Sequence, residues 1–581
     1  MLHARRTTDR RPRAARAALL VLALAALSLS VPACGGGSDG FPDGGGGPPG
    51  PSDAVLWYDT TSFGGARSLK YSRNGANPAT YDVLASGIGY EVLGAHMDGT
   101  DSVIFYDTSH GDGTRRVETS RNGGEPSRLD IIPSGVGFQR LATRMKGLDA
   151  TIWYALVDGT GTTRVKLSRN GAAATEIVFV PSDTTFTFHA AHVSAGDAVL
   201  HYSTREGGGV TRLFHVRNLG LPVPIDTVEA TATLLVLGSH MEAGDAVLHF
   251  AVKAADGSTR VLVSRNGAAP ATLRTIPNGT DLVPIGTHME GTDAATFFGT
   301  SVGAAAPDLY FAKNDGPATL FDAPPTTSLL TALGSHMSGP DAVVFYTLVN
   351  GGGTTEVWTS RNGGAPVLID ALLTGSTFGL LGSHMEAGDA VLFYEIVRAG
   401  GAVDVEYSRN GGAPLRIGAI PSSSSFALLA THMSGPSAAL YAVTTRSGGV
   451  QDVESSHDGA PLALIEALPA GVGFQPLGTD SSGGDDVLFY ATTPASGTRS
   501  LSYSRDGAGP TGIESLSAAI GFTRHGSDMF APNAALFYAT STSGGSTTLK
   551  VSLNGGDPDV IETEPGSSPF TVRAVLLPQE P

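Results

Sequence analysis

Residues 377 to 424 read TFGLLGSHMEAGDAVLFYEIVRAGGAVDVEYSRNGGAPLRIGAIPSSS, four short apolar runs separated by polar turns. FGLLGS is followed by HMEAGD, AVLFYEIV by RAGGA, VDVEYS by RNGGAP, and LRIGAI by PSSS. Runs of this length, rich in β-branched and aromatic residues and bounded by glycine, asparagine and proline, predict β-strands. Asn410-Gly411 suits a two-residue hairpin, because a type I′ turn needs positive φ at both central positions. AVLFY is apolar at consecutive positions instead of alternating, which predicts a strand covered on both faces. No segment shows a 3.6-residue apolar period, so essentially no helix is expected.

The pattern repeats every 48 residues. Steps of 48 from Asp53 reach Asp101, Asp149, Asp197, Asp245, Asp293, Asp341, Asp389, Ser437, Asp485 and Asn533, and one more reaches Pro581. Eleven copies of one unit therefore fill residues 53–581, with no linker between them. Asn-Gly recurs at the third turn as Asn74-Gly75, Asn122-Gly123, Asn170-Gly171, Asn266-Gly267, Asn362-Gly363 and Asn554-Gly555, with Asp458-Gly459 and Asp506-Gly507 as equivalents. Four antiparallel strands in a unit of this length, buried on both faces, form the blade of a β-propeller. The expected fold is thus an all-β propeller of eleven four-stranded repeats.

The stretch from Asp389 to Ile417 is similar to WD-like propeller blades, and that resemblance implies that FGLLGS is the innermost strand A, AVLFY is B, VEYS is C and LRIGAI is the outer strand D. The chain enters the array at a B strand, Ala54 to Tyr58, and leaves it at an A strand, Phe570 to Leu577. Pairing these two would complete the first blade and leave no open sheet edge. One closed ring is the expectation, with two smaller rings, of five and six blades, as the alternative. The stretch from Asp389 to Ile417, DAVLFYEIVRAGGAVDVEYSRNGGAPLRI, resembles the WD-like blades of the TolB type. In those blades an apolar strand follows a loop, a second strand ends in a DG or NG turn, and a GG-x-P segment leads into the outer strand. This chain has His-Met-x-x-x-Asp where that family carries Ser-Pro-Asp-Gly.

Ahead of the repeats the composition changes twice. Arg5, Arg6, Arg10, Arg11, Arg13 and Arg16 precede an apolar stretch from Ala18 to Ser30, the layout of a secretory signal over residues 1–33. Residues 34–52, CGGGSDGFPDGGGGPPGPS, are too rich in glycine and proline to bury a core and read as a tether. Val31-Pro32-Ala33-Cys34 resembles the lipobox of bacterial lipoproteins, and Cys34 is the single cysteine of the chain. The resemblance implies cleavage before an acylated Cys34 and a lipid-anchored place in a bacterial envelope, at the outer membrane or a periplasmic face. Ordinary signal cleavage near Ala33 is the alternative. Removal of residues 1–33 would leave 31 basic and 53 acidic side chains, a charge of −22. Such a balance argues against nucleic acid as a partner. A monomer is expected.

Three polar positions recur. Arginine precedes the Asn-Gly turn as Arg73, Arg121, Arg169, Arg217, Arg265, Arg361, Arg409 and Arg505, with Lys313, His457 and Leu553 in the other repeats. These arginines are expected to reach an acid or a carbonyl on the adjacent blade. Histidine recurs at the end of strand A as His96, His192, His240, His288, His336, His384 and His432, and the aspartate series follows five residues later. A ring of imidazoles at one channel mouth could bind a metal or an anion. The structural reading is that each imidazole bonds the following aspartate across a tight loop, and it is the one favoured. No compact ligand cluster calls for a metal, and no cofactor is expected.

The histidine position becomes Arg144, Asp480, Asp528 and Leu576 in the remaining repeats. A closed ring would set Asp480, Asp528, Leu576, His96 and Arg144 on consecutive blades. Two carboxylates, an imidazole and a guanidinium on one arc could form a ligand site or acid/base machinery; repeat divergence near the termini is the alternative. No nucleophile elbow, phosphate-cradling glycine loop, His-Glu-x-x-His or calcium loop is present. The residues favour a binding or scaffold module acting through its loops on a protein or envelope polysaccharide. The alternatives are a glycan- or peptide-cleaving enzyme using Asp480 and Asp528, and a surface spacer.

Overall fold

The computed structural model describes residues 54–530, 532–566 and 570–576. The signal segment, Cys34, the tether and Asp53 lie outside the described residues. The described chain forms eleven four-stranded antiparallel sheets arranged as the blades of one ring, with no helix among the described residues. Blade 8 is typical: Thr377–Glu386 is strand A, Asp389–Val397 strand B, Val403–Arg409 strand C and Leu415–Ile420 strand D. In blade 1, Val55–Thr61, Arg67–Arg73 and Ala79–Leu84 supply strands B, C and D. Its strand A is Phe570–Leu576 from the far end of the chain, antiparallel to strand B with Val55 opposite Leu576 and Thr60 opposite Phe570. A single ring closed by pairing of the two ends is therefore the architecture.

The two-faced B strand explains why blades pack as they do. In blade 1, Val55 and Trp57 point into an apolar cluster with Met97, Ile104 and Tyr106 of blade 2. Ala54, Leu56 and Tyr58 point the other way, into a cluster with Phe537, Leu549 and Val551 of blade 11. Trp57 and Leu56 are both fully buried. The remaining clusters follow the same rule, one for each neighbouring pair of blades. Alternate side chains of one strand thus serve two different interfaces.

The turns meet their predicted geometry. Asn74 and Gly75 have φ of 52° and 72°, as a type I′ turn requires. The asparagine does more than tolerate that conformation. Its Oδ1 accepts the N–H of Ala54 at 2.6 Å, and Asn410 does the same for Ala390 at 2.9 Å, so the turn also holds the start of strand B.

Around the outer rim, strand B tyrosines donate to acids on the preceding blade. Tyr154 reaches Asp130 at 2.7 Å and Tyr538 reaches Glu514 at 2.6 Å. The same bond spans the seam, where Tyr58 meets Glu562 at 2.6 Å. Lysines on strand C join them: Lys166 lies 2.7 Å from Asp130, Lys550 2.5 Å from Glu514, and Lys70 pairs with Glu562 across the seam. The seam has one further tie. Asp59, 1% exposed, is flanked by Arg67 at 3.2 Å and by Arg573 of the closing strand, and both guanidiniums lie over the Tyr90 ring.

Two predictions follow from the rim. Removing Arg573 leaves the buried Asp59 carboxylate with Arg67 as its remaining guanidinium partner. Arg573 is 24% exposed, so Arg573→Met should cost about 2 kcal/mol, below the figure for a fully buried pair. Amide exchange should then quicken first in Phe570–Leu576 and Val55–Thr61; uniform acceleration over all blades would contradict the seam assignment.

Glu406 occupies the lysine position in blade 8 and faces Asp370 of blade 7. Burial, then the carboxylates of Asp370 and Asp404, push its pKa from 4.5 up to about 7. An acid ionising more readily in the unfolded chain destabilises the fold progressively from pH 4.5 to 7, and fully above that. Glu406→Gln should therefore raise the melting temperature at pH 8 and leave it nearly unchanged at pH 4, as scanning calorimetry would show. An equal shift at both pH values would refute the assignment.

Candidate functional site

The A strands line the channel, and each carries a bulge near its centre, as between Leu380 and Gly382 in blade 8. Two residues beyond the bulge stands the recurring histidine. Its Nε2 meets a hydroxyl on the A strand of the next blade: His96 and Thr143, His192 and Ser239, and His384 and Thr431 at 2.9 Å, and His288 and Ser335 at 2.8 Å. His240 with Thr287 and His336 with Ser383 complete the row at 2.9 Å. The expected bond from histidine to the following aspartate is not formed. The bulge residue stands close to this bond. A Cβ on Gly382 would lie 2.0 Å from Thr431 Oγ1 and 3.3 Å from His384 Nε2, whereas in blade 4 Ala190 holds the position and His192 still bonds Ser239.

The aspartates serve a second clasp on the face carrying the A–B and C–D turns. Asp341 holds Arg361 at 2.9 Å and accepts from Asn362 Nδ2 at 2.6 Å, all within blade 7. Arg361 then donates to the Gly388 carbonyl at 2.9 Å and to Asn410 Oδ1 at 2.7 Å on blade 8. The arginines thus reach carbonyls of the adjacent blade as expected, but their acid partner is mostly on their own.

Burial, with help from neighbouring cations and imidazoles, lowers the histidines to about 4 for His96 and His336 and about 3 for His192 and His288. The row is therefore neutral at physiological pH. Among the described residues no group of three or more His, Cys, Asp or Glu converges as metal ligands would.

Departures from the row come in matched pairs. Arg144 faces Ala191, Asp528 faces Val575, and Leu576 faces Ala95, so the histidine is lost where the neighbour offers no hydroxyl. Asp480 keeps the clasp with another chemistry, accepting from Ser527 Oγ at 3.1 Å. Burial raises its pKa, while the Ser527 bond and Arg524 oppose the rise. His432 is the exception, since Thr479 is available but its buried Nε2 has no partner. Ala430 holds the bulge position there, but Ala190 holds it in blade 4, where His192 keeps its bond to Ser239, so the bulge residue does not explain the missing bond.

Ring closure does place Asp480, Asp528, Leu576, His96 and Arg144 on blades 10, 11, 1, 2 and 3 in that order. A cavity of about 510 Å³ in the channel wall of blades 2 to 5 takes in His96 and Arg144, together with Arg140, His189 and His192. Asp480 and Asp528 do not line it. Asp528 instead accepts the Met529 N–H at 2.9 Å. Arg140 and His189 escape sequence reasoning because they replace residues that are mostly apolar at their repeat positions. A second cavity, of about 410 Å³, lies at the outer rim beside Glu406, Arg398 and Arg416.

Fold and interfaces define the chain as an eleven-bladed β-propeller. No family model matches it, and no curated protein matches it. Among solved structures, it is similar to the β-propeller domain of the Trilobed protease from Pyrococcus furiosus, 9% identical over 55% of this chain and 97% of that one, with a TM-score of 0.26. It is also similar to the WD40 domain of SCAP from fission yeast, at 11% identity, 62% and 92% coverage and a TM-score of 0.25. The Aleuria aurantia lectin, a six-bladed propeller, gives 13% identity, 50% and 96% coverage and a TM-score of 0.20. None of these likenesses assigns an activity or a ligand to this chain.

The clasp is tested by exchanging its glycine. Gly382→Ala should cost about 1–3 kcal/mol, since in the backbone of blade 8 the added Cβ would lie 2.0 Å from Thr431 Oγ1 and the two strands must shift apart. Ala430→Gly, at an interface where His432 already lacks its partner, should cost no more than glycine's entropic penalty of about 0.5–1 kcal/mol. Equal losses in urea denaturation of both variants would reject the clasp as described.

Proposed function

We propose that this chain is a lipid-tethered binding module of a bacterial cell envelope, in which a rigid ring presents loops and channel residues to a protein or polysaccharide partner. One observation carries the reading. The polar residues that recur from blade to blade are engaged in holding the blades together, so recognition falls to residues that do not recur. Loops borne on such a rigid scaffold are suited to that task. Phe63, 95% exposed at the tip of the first B–C loop, and Leu221, 87% exposed beside the blade 4 turn, are apolar side chains of this non-recurring kind.

The likeness of Asp389 to Ile417 to TolB-type blades supports the assignment, and the lipobox-like residues before Cys34 support the anchor. The formal charge of −17 speaks against nucleic acid as a partner. A hydrolase built on Asp480 and Asp528 has less support, because the Asp480 carboxylate already takes part in the clasp with Ser527.

The anchor is tested in growing bacteria with a clickable palmitate analogue. The full chain should take up label and sediment with membranes, whereas Cys34→Ser should do neither. Sedimentation unchanged in Cys34→Ser would reject lipid anchoring. The Cys34→Ser protein, added to purified envelope fractions, should bind saturably, and Asp480→Asn and Asp528→Asn should leave that binding intact. Absence of binding, or turnover of envelope material abolished by either substitution, would reject the binding-module reading.

A further inference from the structure

We infer that the channel-wall cavity of blades 2 to 5 is a binding site for an oxyanion, a phosphate, sulfate or carboxylate group borne on a small polar ligand. The inference deepens the binding reading and rests on it for its biological sense. Its geometry stands apart from that reading.

The lining carries the first argument. Arg140 and Arg144 share the cavity with His96, His189 and His192, and no aspartate or glutamate lines it. That is an unusual place in a chain with 54 acidic and only 37 basic side chains. A volume of about 510 Å³ lies within the range of small-molecule sites. The second cavity differs in kind, since Asp370 and Glu406 stand among its arginines and its charge is balanced internally.

The guanidiniums are also available. Among the described residues Arg144 makes no hydrogen bond or ion pair, and it is exposed to the cavity. Arg140 spends one donor on the Leu93 carbonyl and keeps the others. Blade 11 provides an internal control, for Arg524 occupies the position equivalent to Arg140. It donates to Ser527 Oγ at 3.3 Å, within electrostatic reach of the Asp480 carboxylate, so no anion is needed there.

The substitutions that build the cavity are not required by the ring. Arg144 replaces the clasp histidine, Ala191 replaces its hydroxyl partner, His189 replaces an aliphatic residue, and Arg140 enters a mostly apolar position, all on blades 3 and 4. Together they remove one inter-blade bond and gain two cations. An anion seated there would meet two guanidiniums, charge-assisted donors of the kind that oxyanions favour, while the Nε2 atoms of His96, His189 and His192 are held by Thr143, Ser203 and Ser239.

The test uses the purified full chain at low ionic strength near pH 6.5. Inorganic phosphate, sulfate and glucuronate are titrated calorimetrically against chloride of matched ionic strength. Saturable binding of at least one probe is expected. Arg144→Ala should weaken it by about tenfold or more, the loss expected for a charge-assisted hydrogen bond. Arg144→His combined with Ala191→Ser rebuilds the clasp of the other blades, so it should fold stably and bind none of the probes. Arg164→Ala, a surface change outside the cavity, should leave the affinity as it was. Preference for phosphate or sulfate over glucuronate marks an esterified ligand, and the opposite preference a carboxylated sugar. No saturable binding of any probe, or binding unchanged in the double variant, overturns the site. Loss of the site with envelope binding intact would leave the module standing, and the reverse would leave the site standing.

Discussion

Each strand B presents apolar side chains to both of its neighbours, and that constraint decides the architecture. A single blade can bury one face against one partner but never both, so an open array would leave two apolar sheet faces in water. Closure removes them. The outer contacts treat the seam as one more interface, since the bond of Tyr58 to Glu562 repeats that of Tyr154 to Asp130. The inner contacts do not. Leu576, Val575 and Ala95 cannot make the histidine clasp, and Leu553 lacks the turn-face guanidinium of other blades. The tie of Asp59 to Arg67 and Arg573 stands at the blade where those contacts fail.

Between the apolar clusters, the polar residues of the repeat form three inter-blade layers. Histidine and hydroxyl meet at the channel, arginine meets asparagine and carbonyl at the turn face, and tyrosine or lysine meets an acid at the rim. Each group finds its partner one blade away. Buried polar atoms that are satisfied in this way fix register as well as contribute energy, because a sheet shifted by one residue would lose all three layers together. Where a partner is missing the cost is visible, as at the orphaned His432 or in the raised pKa of Glu406.

Strand pattern, period, turns and the complementary chain ends were all legible in the sequence, because they depend on local periodicity and counting. The direction of the histidine bond was not. Its partner lies 47 residues away, and serine or threonine just before the histidine is too common a pairing to attract notice alone. Only when blades stand side by side does the matching of Arg144 to Ala191, or of His384 to Thr431, acquire meaning. Arg140 and His189 were hidden for the opposite reason, since each interrupts a position whose repeat-wide signal is apolar. The arc of Asp480, Asp528, His96 and Arg144 follows correctly from closure, yet adjacency on the ring does not make one site of them.

Paired losses of the channel clasp occur at three interfaces, and they do not have the same cause. Asp528 with Val575 and Leu576 with Ala95 flank blade 1, whose inner strand comes from the far end of the chain. Closure explains both, because that strand is the one segment not joined directly to the blade it completes. The interface of blades 3 and 4 is remote from the seam and carries no such constraint. There both sides of the clasp were exchanged, and the exchange left an unpaired guanidinium over an open volume. Repeat divergence alone would be expected to leave a mismatched interface, as at His432, whose buried Nε2 has no partner. A matched exchange that adds charge beside an open volume is better accounted for by something that occupies it.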